Sequence, residues 1–110
     1  MPTRIPLPID PTVPSVIDAA RPPGSRVLLL ASPGSGKTTR VPWSLSKALP
    51  GKIYVLEPRR LAAKLSAERV AEENGVSVGV EVGYQFRFER KRRDGTKLVF
   101  LTEGTLLREL

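Results

Sequence analysis

Cysteine and histidine are both missing from the 110 residues of this chain. Without cysteine there is no disulfide and no thiolate metal site. Without histidine the commonest general base and metal ligand are gone. Long apolar runs are missing as well. The longest falls far short of a bilayer span, and the proline-rich start does not look like a secretory leader. The expectation is a cytoplasmic protein with no membrane partner. Acidic residues are the minority charge, 11 against 18 lysines and arginines, for a formal net charge of +7. Such an excess suggests a polyanionic partner, nucleic acid before others, although a basic surface that only keeps the chain soluble carries the same charge. The length allows one domain with a modest core, and the aliphatic content suits a globular α/β protein rather than a disordered one.

What is present is organised around Ala31-Ser-Pro-Gly-Ser-Gly-Lys-Thr-Thr39. Before it, Arg26-Val-Leu-Leu-Leu30 reads as a strand buried on both faces. After it, no glycine occurs until Gly51, which suits a helix. Strand, glycine loop and helix form the context of a phosphate-binding loop. Gly34 and Gly36 let the backbone aim successive N–H groups at one anion. The helix adds its free N–H groups and positive dipole end. Lys37 supplies a point charge for the terminal phosphates, and Thr38 a hydroxyl for magnesium. The usual pattern opens on glycine where this chain has Ala31; a small residue suffices there because Gly34 and Gly36 hold the tight part of the turn. A glycine-rich turn with an incidental lysine is the plainer alternative.

Residues 1–25 are dense in proline, and Met1 to Ile9 should be extended. Asp10 before Pro11 resembles a helix N-cap with proline at the first position, for a helix over 11–20 with Val13, Val16, Ile17 and Ala20 on one face. Beyond the loop, Val41, Leu45, Ala48 and Leu49 form an apolar stripe that Pro42 and Trp43 interrupt, and Pro50-Gly51 stops the helix. A strand is expected over 52–57 and a helix from Arg59 to Asn74, with Gly75 as its C-terminal cap. Further strands are expected over 81–88 and within 97–102. Asp94-Gly95 marks a turn between them, and Thr102 caps a helix starting at Glu103. Strands alternating with helices imply a mostly parallel sheet with flanking helices.

Four segments narrow this reading: Ser35-Gly-Lys-Thr-Thr-Arg-Val-Pro42, Leu56-Glu-Pro-Arg-Arg-Leu-Ala-Ala63, Ala67-Glu-Arg-Val-Ala-Glu72 and Leu101-Thr-Glu-Gly-Thr-Leu-Leu-Arg108. In this order they resemble the first RecA-like domain of the DEAH-box ATP-dependent RNA helicases of superfamily 2, the bacterial HrpB type most of all. The resemblance covers 26–110 and implies a P-loop NTPase fold, incomplete at its C-terminal side. That family's Asp-Glu-x-His segment, its Ser-Ala-Thr motif and its second RecA-like domain have no counterpart here. Phosphoryl transfer rests on positioning and charge stabilisation, so the resemblance implies a helicase fragment that binds nucleotide without turning it over.

The resemblance implies ATP and Mg2+ as cofactors, with Gly34, Ser35, Gly36, Lys37, Thr38 and Thr39 on the nucleotide, Lys37 and Thr38 in the catalytic roles, and Thr38 on the metal. It places Arg69 against adenine; a helix arginine at this spacing also pairs with Glu72 or Glu73. Arg59, Arg60 and Thr102 match residues that touch the RNA backbone; the lesser alternative for Arg59 and Arg60 is a structural pair bonding nearby carbonyls, and Thr102 is equally a plain helix N-cap. The basic run Arg87, Arg90, Lys91, Arg92, Arg93 and Lys97 lies where the family has a hooked turn on RNA, Arg87 being the contact; a solvated hairpin tip is the plainer reading. Phe86 and Phe88 are expected to face the core. The partners implied are single-stranded RNA, or DNA, and a second RecA-like domain. A non-enzymatic binding piece is the first alternative. A P-loop small-molecule kinase is the second, but it has no need of Glu57-Pro-Arg-Arg60 or Thr102-Glu-Gly104. A chain ending at Leu110 is also expected to leave Val99, Leu101, Leu106 and Leu107 short of packing.

Overall fold

The structure, a computed structural model, describes residues 9–22 and 37–109; of Lys37, Thr38, Glu103, Leu106 and Glu109 it describes the backbone alone. The expected strand over 26–30 and the loop residues Gly34, Ser35 and Gly36 lie outside the described residues.

A 3-10 turn, Asp10–Thr12, leads into α1, Val13–Ala20. Asp10 was expected to cap this helix. Its carboxylate instead accepts hydrogen bonds from Arg40, 30 positions away, and no side chain caps the turn. Helix α2, Lys37–Ala48, keeps Pro42 inside it. It faces two ways. Val41 joins Ile9, Val13 and Val16 in a small cluster with α1, while Trp43 enters the main core.

Strand β1, Ile53–Leu56, is followed by α3, Arg60–Asn74, which ends on Gly75 in the left-handed region with φ 66°. There Val76 N–H reaches the Ala71 carbonyl at 3.0 Å, the closing bond that such a glycine permits. Strand β2 is Val82–Phe86, β3 Glu89–Lys91 and β4 Leu98–Leu101; α4, Glu103–Glu109, follows. The described sheet has the order β1-β4-β2-β3. β4 pairs in parallel with β1 and β2, while β3 is antiparallel to β2.

Alternation places Ile53 and Val55, Leu98 and Phe100, and Val82, Tyr84 and Phe86 on the face that meets Ala63, Ala67, Val70 and Trp43. α3 turns its alanines inward, so it packs close to the sheet. Being central, β4 is buried on both faces, and its run Leu-Val-Phe-Leu is entirely apolar.

Three expectations need correction. The segment after Phe86 holds an unexpected strand, β3, because the reversal comes at Arg87-Phe88; Asp94-Gly95 makes a second turn, with Thr96 N–H on the Arg93 carbonyl at 3.1 Å. Phe88, at the tip of that reversal, is 81% exposed rather than core-facing. Val99 and Leu101 are completely buried. For Val99 a cover is visible. Tyr54, Val99 and Gly83 stand side by side across three strands. The Cβ of Arg92 lies over Gly83, and its guanidinium lies over the Tyr54 ring, 5.8 Å from the centroid. The arginine stem therefore crosses the Val99 row. Leu107 is 67% exposed, as expected, and the Leu106 side chain lies outside the described residues. No described helix is long and apolar enough to cross a membrane.

Candidate nucleotide and nucleic-acid sites

Parallel pairing of β1, β4 and β2 means that their C-terminal ends share one edge. At that edge β1 runs into Arg59 and Arg60, β4 into Thr102, and β2 into Arg87. Open α/β sheets bind ligands outside this edge. Arg59 N-caps α3 in extended conformation (φ −126°, ψ 142°), the non-helical geometry usual at this position. Arg59, Arg60 and Arg87 are exposed. Arg59 and Arg60 line a shallow hollow of about 490 Å³ with Leu61, Lys64, Phe86 and Glu89. The Arg87 guanidinium lies 4.9 Å from the centre of the Phe88 ring, a cation over an exposed aromatic face.

Thr102 stands directly before α4, as a cap should, and its hydroxyl is 3.2 Å from that of buried Thr105. At the foot of the hairpin the Tyr84 hydroxyl donates to Glu89. That bond, with burial second, pushes the tyrosine pKa up to about 12.

The second hollow, about 440 Å³, lies between α2 and α3 and is lined by Thr39, Leu65, Ser66, Glu68, Arg69 and Glu72. Thr39 sits in the first turn of α2, two residues after Lys37, and Arg69 faces it from α3. Arg69 Nε donates to Glu73 Oε2 at 2.9 Å, the pairing its spacing allowed. That hydrogen bond, followed by the charge of Glu73, holds the Arg69 guanidinium above the ordinary arginine range. Its side chain is nevertheless 60% exposed, so a face remains open to a ligand.

Sequence reasoning missed Arg40. It is 1% exposed, with Nε on Glu73 Oε1 at 3.0 Å and Nη1 on both Asp10 oxygens at 2.9 and 2.8 Å. Partners 33 and 30 positions away leave no local signal. Lys64 and Phe86 were likewise not foreseen as lining the Arg59-Arg60 hollow. Among the described residues no group of three histidines, cysteines or acids gathers as a metal site.

The chain is 44% identical over 93 residues to the probable ATP-dependent RNA helicase DHR1 of Saccharomyces cerevisiae, a match over 76% of this chain and 7% of that protein. It is 48% identical over 88 residues to the ATP-dependent RNA helicase HrpA of Borreliella burgdorferi, over 76% of this chain and 11% of that protein. The crystal structure of the Escherichia coli DEAH/RHA helicase HrpB superposes with a TM-score of 0.82 at 41% identity, over 94% of this chain and 13% of that one. The chain is a homologue of one segment of the DEAH-box ATP-dependent RNA helicases. Its α/β fold, with a mostly parallel sheet, is that of the RecA-like helicase domain. No protein-family model matches it. It spans only 7 to 13% of the length of these relatives.

Proposed function

We propose that residues 26–110 are the ATP-binding front of the first RecA-like domain of an RNA helicase, and that residues 1–25 are a proline-rich N-terminal segment whose short helix α1 packs on α2. In this reading the N–H groups of Gly34, Ser35 and Gly36 and the side chains of Lys37, Thr38 and Thr39 take the phosphates, and Arg69 takes the adenine ring. Arg59, Arg60, Thr102 and Arg87 take the backbone of single-stranded RNA. The observation that carries it is topological. A parallel sheet brings these four residues to one edge, while α3 runs from the Arg59-Arg60 hollow at its start to the Arg69 hollow further along.

The residues present fit a nucleotide. α2 begins at Lys37, so its first-turn N–H groups and positive end are available beside the hollow that Thr39 and Arg69 line. A magnesium ion, held by Thr38 and the phosphates, would supply charge neutralisation there. What the chain itself contributes is a cation at Lys37, fixed donors at a helix start and a flat guanidinium at Arg69. Phosphate contacts from Arg59 and Arg60 position a strand without reading its bases.

A fluorescent nucleotide titrated against wild type and Lys37→Ala tests the reading. Loss of one charge-assisted contact should weaken binding by about 1.5–3 kcal/mol. Equal affinities would overturn the assignment. For these 110 residues taken alone a second reading is binding without turnover, since phosphoryl transfer needs positioning groups beyond a phosphate cradle. Steady ATP hydrolysis by this chain, lost in Lys37→Ala, would exclude it. Parallel titrations with single-stranded RNA and DNA of one sequence would show which backbone is preferred.

A further inference from the structure

Glu73 is a buried carboxylate held from both sides. Its Oε1 accepts from Arg40 Nε at 3.0 Å and its Oε2 from Arg69 Nε at 2.9 Å. The two arginines differ completely in surroundings: Arg40, on α2, is buried, and Arg69 stands at the rim of the hollow that Thr39 also lines. Arg40 is in turn fixed by the Asp10 carboxylate, which takes Nη1 through both oxygens.

We infer that Arg40 is a positioning residue for the nucleotide base: through Glu73 it sets the orientation in which Arg69 presents its guanidinium to adenine. This inference rests on the proposed role of Arg69. A planar guanidinium that donates along a defined direction fixes the carboxylate plane, which a point charge does not. The fixed carboxylate leaves one oxygen aimed at Arg69 Nε. A side chain with four rotatable bonds is thereby tethered near its head, and less freedom remains to be lost when a base stacks on it. Arg40 belongs to the helix that opens at Lys37, so phosphate and base recognition share one rigid element. Removing Arg40 would leave Glu73 held from the Arg69 side alone, drawing that guanidinium inward and off the base.

The test compares MgATP with magnesium tripolyphosphate, which carries the phosphates and no base. Affinities of both for the whole chain are measured by competition against a fluorescent nucleotide, with the emission of the single tryptophan, Trp43, reporting the fold. In the wild type ATP should bind more tightly than tripolyphosphate, and Arg69→Ala should reduce that preference about two- to fivefold, as loss of an exposed cation–π contact would. Arg40→Lys keeps a buried cation beside Glu73 but loses the fork. It should reduce the preference by a similar factor while tripolyphosphate affinity stays within twofold. If that variant does not fold, Glu73→Gln, of the same shape, decides by the same reduction. A preference that Arg69→Ala leaves unchanged would overturn the base site and this inference with it. A preference lost in Arg69→Ala but kept in Arg40→Lys or, where needed, Glu73→Gln would overturn this inference alone. Equal losses for both ligands would also overturn it, because a merely structural arginine weakens phosphate and base alike.

Discussion

The two ends of the sheet use their positive charges in opposite ways. At the C-terminal edge Arg59, Arg60 and Arg87 are exposed, and among the described residues none of them forms a salt bridge. The run from Arg90 onward, denser in sequence, leads back towards the other edge, and part of it is engaged there. Arg90 pairs with Asp94 at 2.9 Å, Arg92 covers the sheet, and Lys97 donates to the Leu49 carbonyl. The Arg93 backbone N–H is taken by Thr96, whose own hydroxyl donates to the Val80 carbonyl at 2.8 Å, but the side chains of Arg93 and Lys91 stay exposed. The comparison teaches that charge density along a chain does not locate a binding face. What the fold adds is which cations are drawn into contacts and which stay exposed.

The hairpin β2–β3 joins the two regions, so breaking it should disturb both. A Cβ on Gly83 would run into the Lys91 carbonyl oxygen and stand 2.9 Å from the Arg92 Cβ. Gly83→Ala should therefore lift the edge strand, at a cost of about 1–3 kcal/mol, seen as a lower urea midpoint. An unchanged midpoint would mean that β3 gives way without loss.

Next in size is the nucleic-acid effect. For single strands the logarithm of affinity falls with the logarithm of salt at a slope of about −0.7 per phosphate neutralised. Arg59→Ala with Arg60→Ala should flatten that slope by roughly one to two units in an anisotropy titration of single-stranded RNA. Arg90→Ala with Arg93→Ala should leave it nearly unchanged. The reverse pattern would put the RNA path over the basic run and make the Arg59-Arg60 edge structural.

Tyr84 sharpens the comparison because it braces the reversal that presents Arg87. Its pKa is raised from an ordinary value near 10 to about 12, by the bond to Glu89 and then by burial. A folded-state value above the unfolded one stabilises fully below pH 10, and that contribution is lost as pH rises towards 12. Tyr84→Phe should cost about 1.5–3 kcal/mol at pH 8, the worth of a hydrogen bond to a charged group. Its deficit against wild type should close between pH 10 and 12. A deficit constant with pH would assign the loss to packing alone.

The smallest effect concerns Arg92. Replacing it with alanine should cost about 1 kcal/mol by uncovering the Val99 row, with RNA binding unaltered. A loss of RNA affinity without loss of stability would return Arg92 to the binding face.

Several elements were legible because their signals are local. Gly75 ends α3 where a left-handed residue was needed, and Asp94-Gly95 turns where expected. The helix after Arg59 and the strand before Pro58 follow from propensity and from proline. The short strand β3 was not legible. Three charged residues in a row, Glu89-Arg-Lys91, carry no apolar alternation, and they pair because β2 beside them offers an open ladder. The exposed position of Phe88 has the same origin: a two-residue reversal throws its side chains outward whatever their hydrophobicity.

By itself the sequence determined the order of the described helices and of strands β1, β2 and β4, the phosphate-loop pattern and the kinship with DEAH-box helicases, since each is written in contiguous residues. Only the tertiary structure decided which cations are available. Arg40 is buried between Asp10 and Glu73, Arg92 is laid across Val99, and Arg59 and Arg60 are left at the edge. The reason is physical. A side chain's solvation and partners depend on what the fold packs against it, and for Arg40 those partners lie 30 and 33 residues away, beyond the reach of any helical or strand period.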